Sequence, residues 1–216
     1  MNSTLQLSFS YCHGENQVIA ALYGPSEAKG FKSDAAKAVV ELTIKDVTTK
    51  DQSIGGPYTQ ETLRSELKSI LEQVISLNSY PKTLFHFQLF IVQKESEAQL
   101  FATCANALFT AINQAGVKCK AAPVTAQTVA VRVSDMTDDE DINIEILETP
   151  RSSTLAGYTL LDLVVHQHKD LLYIKSSNDS LDFTSTLLGN EKSLTQFGNM
   201  IEKRSLELFA TMTTAL

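Results

Sequence analysis

SFSYCHGENQVIAALYGPSEAKG, residues 8–30, holds two apolar runs separated by His13-Gly14-Glu15-Asn16. In the first, Leu5, Leu7, Phe9 and Tyr11 alternate with Gln6, Ser8 and Ser10, the period of two that marks a half-buried strand. The polar tetrapeptide turns the chain. Val18 to Tyr23 is continuously apolar, which predicts a central strand covered on both faces. That strand is expected to stop at Gly24-Pro25 and to hand over to a charged loop carrying Ser26, Glu27 and Lys29.

Outward from this pair, Glu41 to Val47 alternates as a third strand. After the loop DQSIGGPY, Leu63, Leu67, Ile70, Leu71 and Val74 recur at helical spacing, with Thr59 placed to cap the helix and Glu61 in its first turn. Leu84 to Val92 is aromatic and β-branched, hence a strand. Ser96-Glu97-Ala98-Gln99 is a capping-box pattern that opens a second helix, whose Leu100, Cys104, Leu108, Ala111 and Ile112 face a core before Gly116 ends it. Beyond Pro123 the pattern predicts strands over Gln127–Val133, Ile142–Leu147, Thr159–Gln167 and Leu171–Ser176. A last helix follows, from about Glu191 to Met212, with Leu194, Phe197, Ile201, Leu208 and Phe209 on one face. The expected class is a mixed α/β fold with helices packed on mixed β-sheets. No Pro-, Gly- or Ser-rich linker divides it, so a single domain over residues 1–216 is expected.

Composition narrows the function classes. A chain of 216 residues with 43% apolar content buries a proper core, and its net charge of −7 supplies no global positive field for a polyanion. No apolar run approaches the length of a membrane span and the first residues do not form a secretion signal, so an intracellular protein without membrane partners is expected. Cys12, Cys104 and Cys119 have no metal-type spacing and read as small core residues. Phosphate-cradling glycine loops, nucleophile elbows and zinc motifs are missing from the sequence. His166 and His168 read as ordinary strand histidines, His13 beside Cys12 as part of a hairpin turn, and Asp138-Asp139-Glu140-Asp141 as an acidic surface loop.

Three segments carry a resemblance. NQVIAALYGPSEAK is similar to the strand-plus-Gly-Pro signature of the RNase PH superfamily, which RNase PH shares with the ring subunits of the exosome. LKSILEQVISLNSYPKTLFHFQLFIVQ resembles that family's helix, Tyr-Pro turn and strand, and CANALFTAINQAGVKCK resembles its next helix. The three agree in order and spacing, and together with the late strands and the C-terminal helix the likeness covers the chain from about Leu5 to Phe209.

The resemblance implies that the Gly-Pro corner lies at the central opening of a ring, with Lys29 and Lys32 in a loop that contacts RNA phosphates. It implies phosphorolysis in active members, through a Gly-Thr-Arg turn and further arginines that hold phosphate. Here Gln99-Leu100-Phe101 stand on that turn, and Ser69 and Glu72 stand where arginines would be. In place of the family's later acidic cluster the chain reads Glu148-Thr149-Pro150-Arg151-Ser152-Ser153.

The implied protein is therefore a non-catalytic ring subunit with no metal or cofactor. Its implied partners are other RNase PH-like subunits in a hetero-hexamer, RNA-binding cap subunits, and single-stranded RNA met through the assembly. It would act in RNA processing and degradation in the nucleus, nucleolus and cytoplasm. The alternative is a metal-dependent hydrolytic nuclease, acting alone or as a homodimer, built on surviving acids such as Glu145, Glu148 or Asp162. A binding protein unrelated to RNA that shares the fold is a third possibility.

Overall fold

The computed structural model describes residues 5–13, 16–30, 33–48, 60–95, 97–120, 124–134, 143–147, 158–166 and 171–176. It also describes single positions of the last helical segment, 195, 198, 199, 202, 203, 206 and 207. Alternation in the first segment produces the hairpin of β1 (Leu5–His13) and β2 (Asn16–Glu27), in register from Leu7↔Leu22 to His13↔Asn16. β3 (Val39–Asp46) runs parallel to β4 (Thr83–Gln93), and α1 (Gln60–Val74) lies between them in the chain, as a parallel pair requires. The first sheet has the order β1-β2-β4-β3. One face of it is formed by Val18, Ala20, Leu22, Val40, Leu42, Ile44, Phe85, Phe87, Leu89 and Ile91, all buried.

The five apolar positions of α1, Leu63, Leu67, Ile70, Leu71 and Val74, are its buried residues, and the helix packs on β3. α2 (Leu100–Gln114) covers β1 and β2 and is covered in turn by the second sheet, so every residue from Leu100 to Ile112 is buried. That sheet holds β5 (Val124–Ser134), β6 (Asn143–Leu147), β7 (Thr159–His166) and β8 (Leu171–Ser176) in the order β6-β5-β7-β8, all antiparallel. A polar residue fixes the docking of α2. Asn106 donates from Nδ2 to the Ala126 carbonyl at 2.8 Å and accepts the Ala126 N–H on Oδ1 at 2.7 Å. It thereby satisfies a buried side chain and a buried peptide of β5 together.

Several expectations need correction. β2 does not stop at Gly24-Pro25: pairing with β4 skips from Tyr23↔His86 to Ser26↔Leu84 and continues to Glu27↔Thr83. The cis Gly24-Pro25 bond and Gly24 at φ 116° form a bulge inside the strand rather than its end. Nor is β2 covered on both faces by the described residues. Ala21 is buried on the outer face, but Ile19 and Tyr23 are only half-buried, because both helices pack on the opposite side.

α2 begins at Leu100 after a 3₁₀ turn over Glu97–Gln99, and its N-cap residue Gln99 makes no side-chain capping bond. The expected capping box turns on Ser96 and is not decided by the described residues, while the first turn of α2 is buried. Cys12 is exposed rather than a core residue, because its place on the edge strand β1 leaves it uncovered; Cys104 is buried and Cys119 intermediate. Thr59, Ser96 and the apolar face of the last helix lie outside the described residues.

Candidate functional site

At one end of the first sheet, β2 leaves its bulge and enters the loop that carries Lys29. The buried Ala28 donates its N–H to the Lys82 carbonyl at 2.9 Å, and Lys82 N–H returns to the Asp34 carbonyl at 3.0 Å. Asp34 Oδ1 accepts the Ala36 N–H at 2.9 Å, and Ala38 N–H bonds to the Leu77 carbonyl at 3.0 Å. The loop is thus fastened to the Tyr-Pro turn by backbone bonds, while the Lys29 side chain is exposed. Lys32 lies outside the described residues.

Gly24 is what makes the close approach possible. A Cβ at this position would stand 2.5 Å from the Leu84 carbonyl oxygen, and φ of +116° disfavours any side chain there.

At the first turn of α2 the chemistry is opposite. Leu100 and Phe101 are 1% and 0% exposed, and Gln99, whose carbonyl accepts the Thr103 hydroxyl at 2.7 Å, is 6% exposed. The Phe101 ring stacks on Tyr173 of β8 with centroids 5.4 Å apart and planes 20° off parallel. Around them stand two carboxylates. Glu66 of α1 holds Lys175 Nζ at 2.6 Å, and the buried Asp162 accepts the hydroxyl of its strand neighbour Thr128 at 2.5 Å. Burial, followed by the negative charges of Glu66 and Asp162, holds the Tyr173 phenol well above its ordinary range.

A helix N-terminus ordinarily welcomes an anion. In this one Leu100 and Phe101 are buried, the Tyr173 ring on Phe101 meets two acids, and Lys175 is engaged by Glu66. Ser69 and Glu72 lie on the exposed side of α1, Glu72 3.8 Å from Lys68. Leu100 and Phe101, by contrast, are buried.

Sequence reasoning missed the Glu66–Lys175 bridge, whose partners lie 109 residues apart. It also missed the pairing of Asp162 with Thr128, for which the signal was a lone acid inside an apolar strand.

Of the other candidate residues, Asp162 is committed to Thr128, Glu145 lies opposite Arg132 in the β5–β6 register, and His166 ends β7 opposite Val124. Glu148, His168 and Asp138 to Asp141 lie outside the described residues, as does the side chain of His13. Burial, with Asp46 as a smaller contribution, pushes the Cys104 thiol up to about 12, and burial pushes that of Cys119 up to about 11. Neither is a ready nucleophile.

The model of the 3′ exoribonuclease family RNase PH, domain 1, matches residues 8–118, more than half of the chain. The exosome complex component rrp46 of Schizosaccharomyces pombe is 28% identical over 116 residues, which cover 54% of this chain and 49% of that protein. The chain thus spans about half the length of this relative. A Caenorhabditis briggsae protein named for exosome complex component RRP41 is 27% identical over 165 residues, covering 73% of this chain and 67% of that one. Among solved structures, rice (Oryza sativa) Rrp46 superposes with a TM-score of 0.61 at 19% identity, over 94% of this chain and 89% of the other. The Archaeoglobus fulgidus exosome with RNA bound to the active site gives 0.59 at 11% identity, over 96% of this chain and 83% of the other. At these identities the structural likeness establishes the fold alone.

Proposed function

This chain belongs to the RNase PH family of 3′ exoribonucleases, and on that footing we propose that it is a non-catalytic subunit of the RNA exosome core ring. The observation that carries the non-catalytic role is the sealed first turn of α2. Leu100 and Phe101 are buried, and Phe101 stacks on Tyr173, whose phenol meets the charges of Glu66 and Asp162, where the resemblance puts the phosphate-holding turn of active members. Phosphate with nearly two negative charges needs converging cations and donors, and these residues offer hydrocarbon and like charge. The names of the relatives support the exosome and, within it, the position of ribosomal RNA-processing protein 46.

In this role the chain pairs with other RNase PH-like subunits in a hetero-hexamer, carries cap subunits, and presents Lys29 and Lys32 to the RNA path, in nucleus, nucleolus and cytoplasm. Its two ring contacts are different patches, as closure of a hetero-oligomeric ring demands. The committed Asp162 does not favour the alternative of a metal-dependent nuclease.

Two measurements test this role. Co-expression with the other ring subunits is expected to give a complex that contains this chain, read by native mass; a chain that enters no complex while the ring closes without it refutes the assignment. The purified chain with single-stranded RNA and phosphate is expected to release no nucleoside diphosphates. Sustained release that is lost on mutation of this chain refutes the non-catalytic role.

A further inference from the structure

The lysines of the described residues are not distributed evenly in what they do. Along the sheets and α1 the cations are engaged: Arg64 with Glu61, Lys68 with Glu72, Lys94 with Asp46 and Lys175 with Glu66, while Lys45 lies over Phe90 and Arg132 over Tyr158. At the bulged end of the first sheet the pattern changes. Lys29, Lys37, Lys82 and Lys118 are all exposed, and none has a carboxylate partner among the described residues.

The segments carrying three of these are joined by hydrogen bonds. Ala28 N–H bonds to the Lys82 carbonyl at 2.9 Å, and Lys118 N–H bonds to the Tyr80 hydroxyl at 2.9 Å, two residues from Lys82. Lys82 holds its place in a left-handed turn at φ 59°. Among the described residues the acids at this end are Glu27, exposed and opposite Thr83 in register, Asp34, which caps Ala36, and Glu72, which faces Lys68.

We propose that Lys82 and Lys118 extend Lys29 into one surface that takes the phosphate backbone of single-stranded RNA, with Tyr80 between them as a platform for a base. The proposal rests on the RNA-facing assignment of Lys29 and adds two contact elements that follow in the chain, the Tyr-Pro turn and the segment after α2. Unpaired ammonium groups gain most from phosphate, since no internal ion pair must first be broken. Tyr80 decides between RNA and an acidic peptide. Its half-buried ring packs against the core and meets Phe85 edge-on at 5.1 Å, with its hydroxyl tied to Lys118 N–H and Lys82 two residues on, and an aromatic side chain fixed in this way suits unstacked bases.

The test is a titration of the full-length chain with a fluorescent oligouridylate, started at low salt and repeated as salt rises. Wild type binds, and Lys82→Glu with Lys118→Glu weakens binding by about tenfold or more and lowers the slope of log K against log salt by roughly 1.4, about 0.7 per lost contact. Lys45→Glu, on β3, leaves both values unchanged. No wild-type binding, an unchanged slope in a double variant that melts like wild type, or equal competition by oligoglutamate overturns the proposal. Co-assembly of the double variant with the ring subunits is scored separately. A chain that binds the oligonucleotide through these lysines but joins no ring sinks the proposed function and leaves this surface standing.

Discussion

The two ends of the molecule that the resemblance marks as functional differ in almost every physical respect. The bulged end of the first sheet is open: Lys29, Lys82 and Lys118 are exposed with no carboxylate partner among the described residues, on segments held by backbone bonds and by the side chains of Asp34 and Tyr80. The first turn of α2 is closed. Leu100 and Phe101 are buried, Phe101 stacks on Tyr173, and Glu66 pairs with Lys175. One fold therefore leaves cations in solvent at the first end and gives the first helical turn at the second to core packing.

The contrast can be broken from the closed side first. Phe101→Ala removes a fully buried ring that packs on Tyr173 and is expected to cost about 4 kcal/mol in urea unfolding. A loss comparable to that of a surface substitution would show that the first turn of α2 is not sealed. At the junction with the open end, Gly24→Ala drives a Cβ against the Leu84 carbonyl and strains a positive φ, which is expected to lower stability by about 3 kcal/mol. A melting midpoint equal to wild type would mean that the bulge is adjustable.

The burial of α2 also has a signature in pH. The folded Cys104 thiol is raised from the ordinary value to about 12, so folding favours its protonated form. Its contribution is fully present below the unfolded value near 9 and declines as pH rises from there toward about 12. Stability of wild type should fall more steeply over that alkaline window than that of Cys104→Ala, compared by denaturant midpoints. Parallel curves would place the thiol in contact with solvent. The smallest effect on stability belongs to the open end, where Lys29→Glu should leave the unfolding midpoint where it is and change only RNA affinity and its salt dependence. A shifted midpoint with unchanged RNA affinity would make Lys29 structural and erase the contrast.

Much of the architecture was legible because burial imposes a period on the chain. All five positions assigned to the inner face of α1 are buried, and the strand segments from Leu5 to Ser176 fall where alternation or β-branched runs placed them, with ends shifted by a few residues. The candidate site was legible to the extent that residue type sufficed. Leucine and phenylalanine in the first turn of α2 announce an apolar environment, and lysine in a loop announces solvent. The bulge was misread as a strand end because a Gly-Pro pair interrupts local hydrogen bonding in either case. Only the partner strand, with Leu84 and Thr83 waiting beyond the skipped residues, shows that the ladder resumes.

The sequence by itself determined the strand and helix content, the helix faces and the family, since these depend on short-range periodicity and on segments that keep their order. Tertiary structure alone decided that α2 lies between two sheets, that Glu66 meets Lys175 across 109 residues, and that Lys29, Lys82 and Lys118 come together at one end. Each of these is a contact between residues far apart in the chain, and a local pattern records how a residue is buried but not what buries it.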